Sequence, residues 1–259
     1  MPEVWTPGDP VRAAQANMRP ARLKRFYREA TLGEVDGGFA LLLDGRSAQT
    51  PGKRPLVLPN HALGEIIVAE WRGQGEFIAP AQMPLTRLAN SALDGVAGAM
   101  AATRAEIAGY AASDLLCYRA VEPEELVRRQ AAAFDPILAW AAQNLGAEFR
   151  IVQGIMPLAQ PGASLAVIAD VLAPIESPFV LAALHVATSL CGSTLLALAQ
   201  ARGVVSAGEA WRIAHIDEDF EISAWGEDAE AQARRAARWL EMQAAAQILA
   251  LLRAPLPAR

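Results

Sequence analysis

An uncharged apolar segment in the C-terminal half places the strongest limit on how this chain folds. Residues 179–201 (FVLAALHVATSLCGSTLLALAQA) carry no charged side chain, and about 18 such residues would be enough for a membrane-spanning helix. Polar side chains and a central glycine interrupt the segment, however, and lipid offers such groups no hydrogen-bond partners. We therefore predict a long buried helix enclosed by other helices, beginning at Ser177-Pro178 and ending at Gly203.

The overall composition argues against two broad classes of protein. Hydrophobic residues make up 53% of the 259 residues and charged residues 20%, which is not the composition of a disordered chain. The net charge of −5 argues against a nucleic-acid binder, because neutralising phosphates requires a basic face. The two cysteines, Cys117 and Cys191, lie in apolar stretches without metal-ligand spacing, so we predict a reducing compartment and no disulfide framework.

The N-terminal quarter is rich in strand and turn signals. Residues 1–24 lack the apolar core of a signal peptide, and we interpret them as a flexible arm. Within residues 25–59, the turn sequences Asp36-Gly37-Gly38 and Asp44-Gly45 separate short apolar runs, which is typical of antiparallel hairpins. We predict a small sheet of three or four strands that must pack on another part of the chain to be stable. This β-rich domain core ends at residue 59 or extends to about residue 95.

Helix signals dominate from residue 60 onward. Asn60 is a suitable N-cap for a helix that reaches about Gln74, with Gly75 as its stop. Residues 103–106 form a capping box that predicts the start of another helix. Residues 114–120 (DLLCYRA) predict a short strand instead.

The helical pattern continues beyond this strand with several interruptions. Pro136 predicts a helix break, with Asp135 as the new N-cap. Residues 149–152 predict one more short strand. A second capping box begins at Ser206 and predicts a helix that reaches about Trp225.

These signals together predict an α+β protein. A last helix begins at Asp228 and reaches Leu252. We therefore expect a small antiparallel β-rich N-terminal domain followed by a larger, mostly α-helical C-terminal domain over residues 60–259.

The chain lacks the common catalytic and cofactor signatures. It has no G-x-S-x-G, H-E-x-x-H or G-x-G-x-x-G motif, and we predict no catalytic residue, no cofactor and no metal. We interpret His61 as an exposed residue at a helix start and His185 as a hydrogen-bonded core residue. Cys191 lies in the middle of the apolar helix, where packing is a better explanation than reactivity.

Residues 211–225 (WRIAHIDEDFEISAW) predict a helix with two apolar faces. One stripe follows spacings of four, three, four and three residues, so its members share a face. It consists of Trp211, His215, Glu218, Ile222 and Trp225. The opposite stripe consists of Ile213, Ile216, Phe220 and Ala224. Such a helix is packed on both sides, or it packs on one side and offers the other to a partner.

Glu218 is out of place in the middle of the tryptophan stripe. A carboxylate buried alone is costly, so Glu218 needs a cation, hydrogen-bond donors or water. Two interpretations remain open: a structural ion pair with an arginine of another helix, or a carboxylate in a groove that binds a partner's donors. The candidate arginines are Arg87, Arg119 and Arg238. A small hydrolase or transferase that uses Glu218 and His215 as an acid–base pair is an alternative function.

Four segments of the chain carry a family resemblance. They are LLLDGRSAQTPGKRPLVLP (41–59), AEWRGQGEFIAPAQMPLTRLANSALDGV (69–96), DLLCYRA (114–120) and DEDFEISAWGEDAEA (217–231). They resemble the assembly-chaperone family for the alpha subunit of F-type ATP synthase. The resemblance runs from about residue 25 to the last helix, which is nearly the whole chain.

The resemblance implies a chaperone that binds unassembled alpha subunit, prevents its aggregation and gives way when the beta subunit arrives. It implies no nucleotide hydrolysis by this protein. The residues themselves argue against catalysis, a nucleic-acid partner and membrane insertion, and we expect a monomer when the protein is free. The expected compartment is the bacterial cytoplasm, or the mitochondrial matrix for a eukaryotic mature chain. A generic adaptor for another complex is the remaining alternative. The candidate partner-binding residues are Glu218, Trp225, Trp211, Asp217, Trp71, Arg87, Asn90 and Asp94.

Overall fold

Four short strands form one antiparallel sheet in the N-terminal part. The computed structural model describes residues 23–154, 156–226 and 228–253, so most of the predicted arm lies outside the described residues. The strands are β1 (Ala30–Val35), β2 (Gly38–Leu43), β3 (Arg46–Ser47) and β4 (Val57–Leu58). Strand β2 is central and pairs antiparallel with each of the other three. The predicted turns after β1 and β2 are present, with positive φ at Gly37 and Asp44, which confirms both hairpins.

The first helix, α1 (His61–Arg72), packs against β1 and β2. Asn60 is its N-cap as predicted, because its side-chain oxygen accepts a hydrogen bond from a first-turn amide at 2.8 Å. Gly64 allows the close approach to the sheet, since a Cβ there would come within 2.6 Å of a leucine side chain on β1. The helix ends earlier than predicted, with Gly73 rather than Gly75 closing the last turn.

Two further helices follow in the first half, α2 (Pro84–Asp94) and α3 (Met100–Tyr110). The capping box predicted at residues 103–106 is wrong, because α3 begins three residues earlier at Met100. The hydroxyl of Thr103 donates to the carbonyl of Ala99, four residues earlier, at 3.1 Å. This side chain therefore bonds back along the helix and does not cap its first amides.

The strand predicted at residues 114–120 is mostly a 3-10 turn. Only β5 (Tyr118–Arg119) is extended, and it pairs in parallel with β6 (Val152–Gln153). The latter shares one residue with the strand predicted at 149–152. The side chain of Asp114 accepts a hydrogen bond from the amide two residues later at 3.1 Å, which favours a turn over a strand.

Helix α4 (Glu124–Trp140) runs through Pro136 without a break and continues into a π-helical turn (Ala141–Leu145). The predicted break and the predicted N-cap at Asp135 are therefore both wrong. Asp135 instead forms an ion pair with Arg119 at 2.6 Å. Pro136 lies on the exposed face of α4, where the carbonyl that loses its helical donor is open to water.

Three apolar helices form the centre of the molecule. They are α5 (Gly162–Leu172), α6 (Pro178–Cys191) and α7 (Thr194–Ala201). Ser177 caps α6 as predicted, but the single long helix is wrong, because Gly192 adopts a left-handed φ of 61° and Ser193 caps a new helix. All eight residues of α7 are buried, which confirms the predicted core position. Within the described chain, no helix is long and apolar enough to span a membrane.

The C-terminal part contains three helices. They are α8 (Ala207–Ala214), α9 (Ile216–Trp225) and α10 (Ala229–Leu251). The capping box at Ser206 and the cap at Asp228 are confirmed. The helix predicted to run unbroken to Trp225 is interrupted at His215, whose backbone φ is −113° and whose ring Nδ1 lies 2.7 Å from the Trp211 carbonyl.

One continuous cluster of buried apolar side chains joins the sheet to the helices. It extends from Leu41 and Leu58 of the sheet to Leu184 and Leu198 of the central helices. The small antiparallel sheet followed by a larger helical part confirms the predicted α+β class.

Candidate partner-binding groove

A groove of about 630 Å³ lies between α9 and the first half of α10. Three indoles, two alanines, an isoleucine and three carboxylates contribute to its walls. They are Trp211, Trp225, Trp239, Ala231, Ala236, Ile222, Glu218, Glu221 and Asp228. We call this feature the tryptophan groove. Its volume lies within the range of about 300–1,000 Å³ that is typical of ligand pockets.

Four of the five members of the predicted tryptophan stripe line this groove even though the helix is interrupted, and the fifth, His215, is buried outside its lining. Trp211 is buried at the base, where its ring lies 3.9 Å from the ring of His215 and 5.4 Å from that of Trp239. Ile222 and Trp225 follow along α9 on the same side. The interruption at His215 therefore changes the helix axis without removing the stripe from the groove.

Trp225 is the most exposed large apolar side chain at this site. It is 89% exposed and lies at the last residue of α9, just before Gly226 with φ of 89°. Tryptophan is highly buried on average in folded proteins, and an exposed apolar patch rimmed by polar residues marks an interaction site. The fold therefore leaves one face of the stripe uncovered.

Glu218 faces the groove and has no strong cation partner among the described residues. Its side chain is 38% exposed, so the predicted burial is only partial, and its one charged neighbour is His215 Nε2 at 3.9 Å. Burial is the main cause that lowers the pKa of His215, which leaves this ring neutral at pH 7. The carboxylate therefore has no charged partner in the described chain and, being 38% exposed, is accessible to one.

The arginines proposed as partners of Glu218 are all engaged elsewhere. Arg87 pairs with Glu241 at 3.0 Å, and Arg119 pairs with Asp135 at 2.6 Å. Arg238 donates to the carbonyl of Leu190 at 3.3 Å. The structural ion pair is therefore the wrong interpretation of Glu218.

Asp217 and Asp219 attach α9 to the neighbouring helices. The side chain of Gln130 on α4 donates to Asp217 at 2.7 Å, and Gln130 itself is buried. Arg235 on α10 donates to Asp219 at 2.5 Å. These two contacts hold α9 between α4 and α10, so Asp217 positions the groove rather than lining it.

A second groove of about 530 Å³ lies on the opposite side of α9. Its floor is apolar and its rim carries two arginines, Arg129 and Arg212, together with Asp219. The floor includes Pro136, Ile213 and Ile216. We call it the basic groove. The two apolar faces predicted for this helix thus each border a groove.

The remaining predicted residues lie away from both grooves. Trp71 is a packing anchor, because its ring packs 5.5 Å from that of Tyr27 and its Nε1 donates to Thr86 at 3.1 Å. Asp94 accepts hydrogen bonds from Thr50 at 2.6 Å and from the Gly52 amide at 2.8 Å, which ties α2 to the sheet. The hydrogen bond from Thr50 is the main cause that lowers the pKa of Asp94.

Arg87 and Asn90 also lie outside the tryptophan groove. Arg87 joins α2 to α10 through Glu241. Asn90 is half-buried on α2, and its side-chain oxygen has no hydrogen-bond partner in the described chain. Neither side chain is among the described lining residues of the tryptophan groove.

Sequence reasoning missed the residues that α10 contributes to the groove. Trp239, Arg235 and Asp228 come from a helix that looks only alanine- and arginine-rich in the sequence. The available signal was Trp239 itself, a large aromatic on a helix where Ala231 and Ala236 leave space beside it.

The acid–base alternative finds little support in this geometry. Glu218 and His215 are neighbours, but the described lining of the tryptophan groove contains no serine, threonine, cysteine or lysine that would act as a nucleophile. Burial raises the pKa of Cys117 and of Cys191 to about 12, so both remain thiols. In the ranges that the structure describes, no three side chains of the metal-ligating types lie together.

Comparison with known proteins places the chain in a family. A family model, the ATP12 chaperone protein, matches residues 24–142. The solved structure of Atp12 from Paracoccus denitrificans is 42% identical, covers 89% of this chain and 99% of its own, and superposes with a TM-score of 0.82. The chain belongs to the ATP12 chaperone family.

Two further solved structures agree with this assignment. A mutant of P. denitrificans Atp12p is 41% identical, with 88% of this chain and 97% of that chain covered and a TM-score of 0.81. The Atu1473 protein from Agrobacterium tumefaciens is 46% identical, with 93% and 91% covered and a TM-score of 0.85. The resemblance read from the four sequence segments is therefore confirmed, and with it the class of function, an assembly chaperone of ATP synthase.

Proposed function

We propose that this protein binds the unassembled alpha subunit of F-type ATP synthase and prevents its aggregation until the beta subunit pairs with it. The ATP12 family membership supports this proposal. The observation that carries it is the tryptophan groove, whose outermost indole, Trp225, is 89% exposed. An aggregation-prone subunit exposes apolar surface, and this groove offers a complementary one.

The apolar area that the tryptophan groove offers to a partner is suited to a transient complex. Covering one indole removes about 150–250 Å² from water, which contributes about 4–6 kcal/mol before the entropic costs of association are subtracted. A few such contacts give affinity without making the complex permanent. Displacement by the larger beta-subunit interface then becomes favourable.

We further infer that the protein works without catalysis of its own, as a monomer in the bacterial cytoplasm. The absence of a nucleophile in the described groove lining supports the first point. Binding and release in this view depend on competition between surfaces rather than on nucleotide hydrolysis. Aggregation assays of isolated alpha subunit without ATP test this directly, since suppression that requires ATP would contradict it.

The main experiment is co-expression of this chain with the alpha subunit. We expect the alpha subunit to become soluble and to co-purify with this protein as a complex. Adding purified beta subunit should dissociate that complex. If alpha stays equally insoluble and no complex appears, the proposed client is wrong.

The Glu218→Gln variant tests the role of the groove in the same assay. Because Glu218 has no ion pair with an arginine in the described chain, we expect the variant to keep its fold, as measured by circular dichroism. We expect its affinity for the alpha subunit to fall several-fold. Glu34→Gln is the matched control, since Glu34 is an exposed carboxylate on β1, far from Glu218 in the sequence. Unfolding of Glu218→Gln would show that this carboxylate is structural.

A further inference from the structure

The charges at the rim of the tryptophan groove identify the chemistry of the segment that it binds. We propose that the groove selects a client segment in which a lysine or arginine stands within one helical turn of a large apolar side chain. The identification of the client as alpha subunit rests on the proposed function, whereas the charge preference rests on the groove alone.

The first observation is an excess of uncompensated negative charge. Glu221 is exposed and has no ion-pair partner in the described ranges, and Glu218 faces a neutral histidine. Asp228 holds only the first backbone amides of α10, as the acceptor from Glu230 N at 3.1 Å. Three carboxylates among the described lining residues therefore have no cationic partner in the described chain.

The one cation in the lining is already neutralised. Arg235 donates to Asp219 at 2.5 Å, and its side chain is only 22% exposed. Its positive charge is held at the wall by a carboxylate of α9. A partner that approaches the groove thus meets a net negative rim above an apolar floor.

The second observation is the aromatic floor beneath these carboxylates. The indoles of Trp225 and Trp239 line the same groove as Glu218 and Glu221. Indole faces attract cations as well as apolar groups, and tryptophan is the best of the aromatic side chains in this respect. One groove therefore accommodates the aliphatic anchor and the neighbouring charged head of a basic segment.

The third observation is the opposite sign of the basic groove across α9. Of its charged lining residues, Arg129 is paired with Glu125 at 2.9 Å and Asp219 with Arg235, whereas Arg212 is exposed without an ion pair in the part of the chain described and leaves this rim positive. The floors of both grooves are apolar, so charge rather than hydrophobicity distinguishes them. An acidic client segment would find its complement there and not at the tryptophan groove.

The first test uses two labelled peptides that differ only in charge. Each is an amphipathic helix with the same leucines and phenylalanines, and lysines in one are replaced by glutamates in the other. We expect the lysine peptide to bind at least about tenfold more tightly by fluorescence anisotropy at low salt, and this advantage to shrink at high salt. Equal or tighter binding of the glutamate peptide would overturn the proposal.

A pair of charge-reversal variants assigns the effect to one groove. We expect Glu221→Lys to weaken the lysine peptide about fivefold, and Glu221→Gln, which keeps the size of the side chain, to weaken it less. Arg212→Glu in the basic groove is the control, and we expect it to leave this binding unchanged. Loss of binding in Arg212→Glu alone would place the peptide in the other groove and overturn the assignment.

The same variants separate this inference from the proposed function. If alpha subunit binds the wild type and neither salt nor Glu221→Lys changes its affinity, the charge preference is wrong and the proposed client stands. If the lysine peptide behaves as expected while alpha never binds, the client is wrong and the charge preference stands. A dimer in sedimentation that Glu221→Lys dissociates would assign the groove to a second copy and overturn the proposal.

Discussion

The central helix α7 and the C-terminal helix α9 use apolar sequence in opposite ways. All eight residues of α7 are buried, whereas Ile216 is the single buried residue of α9, which the structure describes over its whole length. At α7, a buried carboxylate satisfies the helix N-terminus, while the groove-facing carboxylates of α9 point to water. The difference shows where the fold derives its stability and where it leaves surface available to a partner.

Asp114 is the residue that joins the elements around α7. It is fully buried, and its two side-chain oxygens accept hydrogen bonds at 3.1 Å from the amides of Leu116 and Leu195. The side chain of Ser193 is a further hydrogen-bond partner. One carboxylate thus organises both a 3-10 turn and the start of a core helix.

The largest expected effect is that of Asp114→Ala. Removing this carboxylate leaves buried amides of two elements without a partner, so we expect the free energy of unfolding to fall by about 3 kcal/mol or more. Urea denaturation followed by circular dichroism measures it. Asp228→Ala removes an exposed N-cap carboxylate of α10 and should cost about 1 kcal/mol or less. If both variants lost the same free energy of unfolding, the core and the groove would not differ in their contribution to stability.

The pH dependence of stability gives a second, smaller signal from the same residue. Burial raises the pKa of Asp114 from 3.8 to about 6, so the native state binds a proton more strongly than the unfolded state. The free energy of unfolding therefore falls as pH rises through this window, by about 1 kcal/mol between pH 5 and pH 7. Urea titrations at the two pH values should show this change in the wild type and not in Asp114→Asn. An identical pH slope in both proteins would contradict it.

The break between α6 and α7 should have an intermediate effect. Gly192 adopts φ of 61°, and a Cβ there would meet only a leucine side chain at 3.9 Å, so Gly192→Ala adds backbone strain without a clash. We expect a loss of about 1 kcal/mol in urea denaturation. Gly109→Ala, inside α3 with nothing within 4 Å, is the control and should be neutral or stabilising. A neutral Gly192→Ala would mean that the break does not depend on glycine.

The smallest effect on stability should be that of Trp225→Ala. Because this indole is 89% exposed, we expect the free energy of unfolding to change by no more than about 0.5 kcal/mol. The affinity for alpha subunit should nevertheless fall by about tenfold or more, which a pull-down titration measures. A strong loss of stability with unchanged binding would reverse the roles assigned to α7 and α9.

The sequence predicted the features that depend on short-range signals. The N-caps Asn60, Ser177, Ser206 and Asp228 are all present, because a capping side chain bonds to amides only two or three residues away. The shared face of Glu218 and Trp225 on α9 was also predicted, since helical periodicity determines it, whereas Trp211 reaches the same groove from α8 across the interruption at His215.

The features that the sequence did not predict depend on tertiary contacts. Pro136 is tolerated because it lies on the exposed side of α4. Which side of a helix is exposed depends on its packing partners, and the sequence around Pro136 does not reveal these. The interruption at His215 depends on a ring contact to the Trp211 carbonyl. Trp239 enters the groove only because α10 packs alongside α9, a pairing that periodicity does not encode.

Helix α10 is buried only in its C-terminal half, which anchors it to the core, while its N-terminal half lines the groove. Its buried residues run from Met242 to Leu249, while the groove-lining residues from 228 to 239 stand beyond that anchor. At 1.5 Å per residue, the stretch from Met242 back to Ala229 is about 20 Å long, so a tilt of about ten degrees at the anchor moves the N-terminal end of α10 by about 3.5 Å. Ala244 and Ala245 are buried within this anchor, so the packing of two small side chains against the core fixes the direction in which the groove-lining half of α10 extends from it.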